Sequence, residues 1–142
     1  SCKKDSNPPV TDVYAAGYQQ IGGKKVATLW KNGQAILLST GQVNEYANSV
    51  FVSGNDVYVA GNENNGTKYV SKTWKNGVAS PLSNGQNDVY LTSLFVSGTT
   101  VYATTYEYNG TNYAATLWKN ANPTNLTNGQ NDTYVTSVFV VN

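Results

Sequence analysis

Short apolar runs alternate with polar, glycine-containing turns along the chain, and no stretch sustains a helical period. In the middle of the chain, Val57 to Ala60 is β-branched and aromatic, and it runs into the turn pair Asn65-Gly66. Tyr69 to Trp74 is the next extended run, closed by Asn76-Gly77, where glycine accepts the positive φ that a tight turn needs. Val78 to Leu82 predicts a short edge strand, because Pro81 cannot donate to a ladder. After the polar stretch Ser83 to Asp88, Tyr90 to Val96 predicts a fourth strand, and Ser97-Gly98 turns the chain back. Leu94-Phe95-Val96 and Val101-Tyr102-Ala103 are apolar on both faces, as the strands of a hairpin buried between stacked sheets would be.

The pattern then repeats. Trp30, Trp74 and Trp118 recur every 44 residues, each opening one phrase: Trp30-Lys31-Asn32-Gly33, Trp74-Lys75-Asn76-Gly77, Trp118-Lys119-Asn120-Ala121. Tyr14, Tyr58 and Tyr102 keep the same spacing, as do Gly41, Gly85 and Gly129, and Phe51, Phe95 and Phe139. A unit counted through its hairpin runs from Tyr46 to Leu82 and then from Tyr90 to Leu126. By that count the chain begins at the second strand of a unit, Val13 to Ala16, and carries a spare first strand at Val135 to Val140.

From Asp12 onward the units resemble the Trp-Lys-Asn-Gly repeat of secreted bacterial β-propeller proteins, on Val57-Tyr58-Val59-Ala60-Gly61, Trp74-Lys75-Asn76-Gly77 and Leu94-Phe95-Val96-Ser97-Gly98. The resemblance implies an all-β chain of three four-stranded blades, with a terminal strand completing a blade begun elsewhere. It implies architecture and not activity. Propellers carry about 4 to 8 blades, so three blades are expected to close as a homo-oligomer, most simply a homodimer with six. A monomeric β-trefoil or β-prism is the alternative, since both use three four-stranded units.

Composition narrows the partners. Charged residues are 12% of the chain and the net charge is +1, so no basic stripe exists for nucleic acid. With no His and one Cys, Ser-His-Asp and Cys-His catalysis and an internal disulfide are excluded. No cofactor, no metal site and no catalytic residue is expected. Acids recur with the repeat, Glu63 with Glu107 and Asp88 with Asp132, which argues for a role shared by every unit. A glycan-active enzyme using Glu63, Glu107 or Asp88 stays a lesser alternative.

The segment before the repeat, Ser1-Cys2-Lys3-Lys4-Asp5-Ser6-Asn7-Pro8-Pro9, resembles the mature start of a bacterial lipoprotein. That resemblance makes Cys2 the lipid attachment, residues 1–11 a tether and 12–142 the folded domain. It implies a location in the cell envelope, with the membrane touched through the anchor alone.

Three sets of residues are candidates for binding. Tyr46, Tyr90 and Tyr134 follow the polar loop and open the innermost strand, where they would line one mouth of a ring. Asn87, Asp88, Asn131 and Asp132 offer oxygen ligands for calcium or a polar group, or else simple Asx turns. Trp30, Trp74 and Trp118 could stack sugars, but one Trp per unit suits packing between sheets. The expected function is a non-catalytic envelope binding module that presents protein or glycan ligands with repeated blade loops. Assembly by strand exchange and a lectin are the alternatives.

Overall fold

The computed structural model describes residues 8–142; Cys2, the expected lipid attachment, lies outside the described residues. The described chain is all-β and contains no helix. It winds into three antiparallel sheets in sequence order. The first holds β1 (Tyr14–Ile21), β2 (Lys24–Lys31) and β3 (Gln34–Leu37). The second holds β4 (Glu45–Ser53), β5 (Asp56–Asn64), β6 (Tyr69–Lys75) and β7 (Val78–Pro81). The third holds β8 (Val89–Ser97), β9 (Thr100–Tyr108), β10 (Tyr113–Lys119) and β11 (Asn122–Asn125).

The turns follow from backbone chemistry. Asn32, Asn76 and Asn120 all have positive φ, and so do the residues after them, Gly33, Gly77 and Ala121. That double left-handed turn matches the twist of the strands it joins. Each Asn side chain also accepts a backbone N–H across the sheet, from Val13, Val57 and Val101 at 2.8–2.9 Å. The four-residue strands β3, β7 and β11 are exposed along their length and pair on one side only. Pro81 therefore stands on an edge.

β5 runs past Ala60, where the β-branched and aromatic run ends. Gly61 continues β5, pairing with Ala47, and Asn62 pairs with Tyr46. A β-bulge between Ala47 and Ser49 drives β4 against this point, and a Cβ on Gly61 would meet the Tyr46 carbonyl. The glycine is there for close approach of two backbones, not for a turn.

Alternate side chains of the middle sheet feed two cores. Val59 and Trp74 face Ala27 and Leu29 of the first sheet, while Tyr58 and Ala60 face Leu91, Leu94, Val96 and Ala103 of the third. The sheets thus stack one on the next. The innermost strands also touch in series: the Ser49 hydroxyl accepts the Leu94 N–H at 3.2 Å, and Phe51 and Phe95 stand 4.5 Å apart.

Residues 133–142 belong to no sheet. They lie against the third sheet by contacts of the same kind. The Ser93 hydroxyl accepts the Val138 N–H at 3.4 Å, with the same 45-residue separation as Ser49 and Leu94. Phe139 stands 4.8 Å from Phe95. The segment thus repeats against β8 the contacts that β8 makes with β4, and the first sheet has three strands where the other two have four.

Candidate functional site

Tyr46 and Tyr90 stand near the start of β4 and β8 and Tyr134 near the start of segment 133–142, and each reaches back onto the preceding sheet. Tyr46 meets Tyr18 edge-on at 5.0 Å, and the Lys25 ammonium lies 5.2 Å from the Tyr46 ring and 5.5 Å from the Tyr18 ring. Tyr90 meets Tyr69 at 5.2 Å and its own cross-strand neighbour Tyr106 at 5.1 Å. Tyr134 meets Tyr106 at 5.1 Å and Tyr113 at 5.5 Å, and Tyr108 continues the run at 5.2 Å from Tyr113. Of the three tyrosines singled out by the sequence, Tyr90 and Tyr134 are therefore part of a continuous aromatic band, while Tyr46 pairs with Tyr18. The other rings were not legible as a motif, because their positions vary between units: Tyr18, Asn62 and Tyr106 in one series, Lys25, Tyr69 and Tyr113 in the other.

The polar loops set this band. One Asp88 carboxylate oxygen accepts the Tyr69 N–H at 2.8 Å, and one Asp132 oxygen accepts the Tyr113 N–H at 2.9 Å. Asn44 does the same for Lys25 at 2.9 Å, which is why an amide can stand where the later units have a carboxylate. Asn87 donates to Glu107 at 2.8 Å, and the Asn131 carbonyl accepts the Thr133 hydroxyl at 3.2 Å. Asp88, Asp132 and Asn87 clasp loop to strand, while the Asn131 bond is local.

Electrostatics agree with a half-buried, tightly spaced set of phenols. The Tyr90 hydroxyl is pushed up to about 12, first by burial, then by Asp88 and the neighbouring Tyr113, Tyr69 and Tyr106. Tyr134 shifts the same way, by burial and then Asp132. Tyr46 raises Lys25 above its ordinary value.

The tryptophans differ from one another. Trp74 is 1% exposed and Trp118 is 9% exposed, so neither offers a face to a sugar. The Trp118 indole N–H donates to the Thr105 hydroxyl at 2.8 Å. The residue one repeat before Thr105 is Gly61, and the Trp74 indole N–H has no partner. Trp30 is half-buried and its ring lies over Gly17, whose added Cβ would come within 3.1 Å.

One charged cluster breaks the repeat. The Lys72 ammonium donates to Glu63 at 3.3 Å and to the buried Glu45 at 2.6 Å. Lys72 also stands 5.1 Å from the Trp74 ring. Its counterparts are Thr28 and Thr116, so no sequence period announced the cluster. Both acids are held by one cation, which makes the group a partly buried ion pair.

No protein-family model matches this chain. No curated protein matches it either. Its function must be argued from the band, the clasps and the unpaired strand.

Proposed function

We propose that the chain is a non-catalytic assembly module that closes a β-propeller ring by exchanging its last strand with a second copy. One observation carries this reading: residues 133–142 lie against β8 as β8 lies against β4 while belonging to no sheet, and β1 is an edge strand.

The 44-residue period supports a definite register. β4 and β8 pair with β5 and β9 in the same way, with Phe51 opposite Tyr58 and Phe95 opposite Tyr102. The same offsets put Phe139 opposite Tyr14 of the second copy, Tyr134 opposite Tyr18, and Val135 opposite Gly17. Gly17 is the counterpart of Gly61, the residue that lets the bulged strand come close. The exposed apolar side chains supply the driving force. Phe139 is 77% exposed and Val13 is 62% exposed, whereas their counterparts Phe95 and Val57 are half-buried. Burying one such side chain contributes roughly 1.5–3 kcal/mol. Two chains of three units, each completing the other, make a six-bladed ring with no open edge.

The envelope location and the Cys2 anchor rest on the N-terminal segment alone, and bacterial expression with labelled palmitate is their direct check.

Light scattering tests the assembly on the chain lacking residues 1–9. The expected mass is twice that of one chain. The Asn32–Val13 bond fixes the ladder's alternation, so the backbone of even-numbered β1 residues faces the free edge. Ala16→Pro removes one of those donors, and deletion of residues 133–142 removes the incoming strand. Both are expected to give folded monomers. A parent chain of single mass, or a deletion that leaves a doubled mass unchanged, removes the exchange reading.

A further inference from the structure

The tyrosine band lies within one chain and needs no second copy. Tyr69, Tyr90, Tyr106, Tyr134, Tyr113 and Tyr108 form one continuous run of rings, each 5.1–5.5 Å from the next. Tyr106 also meets Tyr113 edge-on at 5.6 Å, so within the folded unit the six rings form a connected patch at one end of β6, β8, β9 and β10. Tyr108 and Tyr134 are exposed, and the other four rings are half-buried. Among the hydrogen bonds of the described residues, only the Tyr108 hydroxyl is engaged, donating to Gly110 at 3.0 Å. The nearest carboxylates, Asp88 and Asp132, are tied to backbone N–H groups behind the rings.

We propose that this band is a stacking platform for a neutral, extended oligosaccharide. Sugar rings present apolar C–H faces that rest on aromatic faces, and a fringe of hydroxyls that bond neutral phenols and amides. A series of rings matches a polymer of like units better than a single small molecule. The cavities beside Glu63 and Ser83, Trp118 and Pro123, Leu29 and Val57, Glu107 and Gly129, and Thr40 and Lys72 are lined without any ring of the band. A near-neutral chain gives a polyanion no field to follow. The clasps made by Asp88 and Asp132 then hold the platform while leaving the rings free.

The test is a titration of the chain lacking residues 1–9 with cellohexaose, maltohexaose, mannohexaose and chitohexaose, and with a proline-rich decapeptide, followed by NMR. At least one saccharide is expected to saturate, with the shifts confined to resonances of the band. Tyr108→Ala and Tyr113→Ala are each expected to weaken binding by roughly tenfold. The matching Phe variants keep the stacking face and most of the affinity. Shift mapping on the unaltered chain settles the site even if an Ala variant fails to fold. No saturation with any of the four saccharides, shifts away from the band, or binding of the peptide alone overturns the proposal. Native mass measured on the same samples keeps this outcome separate from that of strand exchange.

Discussion

Ala121 occupies the position that Gly33 and Gly77 hold in the earlier units, and it has a φ of 64°. A Cβ in that region crowds the following carbonyl, at about 1–2 kcal/mol per residue. The turn forms nonetheless, because Asn120 keeps its bond to Val101 and β10 keeps its pairing with β9. Ala121→Gly is therefore expected to stabilise the protein by about 1 kcal/mol, read as a higher urea midpoint with unchanged slope. A neutral or destabilising result would mean that the turn relaxes without strain. Tyr90 makes a second residue-scale case. Its hydroxyl ionises near pH 12 in the folded chain and at its ordinary value of 10.0 once unfolded. The unfolded chain loses the proton first, so the stabilising contribution is complete below about pH 10 and is lost as pH rises through 12. Thermal melts across that window should fall for the parent chain, and Tyr90→Phe should flatten part of the fall. Parallel curves would show that Tyr90 does not carry the dependence.

At the scale of the element, the sequence is read most easily where local chemistry decides the outcome. The Asn-Gly turns, the edge position of Pro81 and the four-strand count follow from residues within a few positions of each other, and the strands stand where those residues put them. The segment expected as a spare strand, Val135 to Val140, forms no strand, but its kinship was legible for a different reason. The 44-residue period labels Tyr134, Phe139 and their neighbours as the counterparts of β4 and β8, whatever they pair with. What could not be read depends on distant backbone. Gly61 looks like a turn residue until the bulge in β4 comes down on it. Asp88 looks like a metal or Asx residue until it meets the N–H of Tyr69, 19 residues away. Most of the tyrosine band was hidden for the same reason, since Tyr69 becomes a neighbour of Tyr90 only when two sheets stack, and Tyr106 only through the register of β8 against β9. Lys72 is the extreme case: it stands where the other units have threonine, and its partners come from β4 and β5.

For the whole molecule, stability resides in the junctions between units. Each sheet touches only its neighbours, as in other repeat proteins, so every junction adds its own increment. Within one chain the middle sheet is covered on both faces by the two cores, while the first and third each keep a face with no sheet beyond it. Segment 133–142 supplies half of another junction, leaving Phe139 and Val141 mostly exposed. Exchange between two copies would complete that junction twice, at the entropic expense of association. The balance must then depend on concentration. A tenfold rise in chain concentration adds about 1.4 kcal/mol to the associated state. At roughly 2–4 °C per kcal/mol for a unit of this size, the melting temperature should climb by several degrees per decade. The chain without residues 133–142 should melt lower and at a temperature independent of concentration. A parent melting temperature that stays flat over two decades would mean that the last strand adds its stability within its own chain.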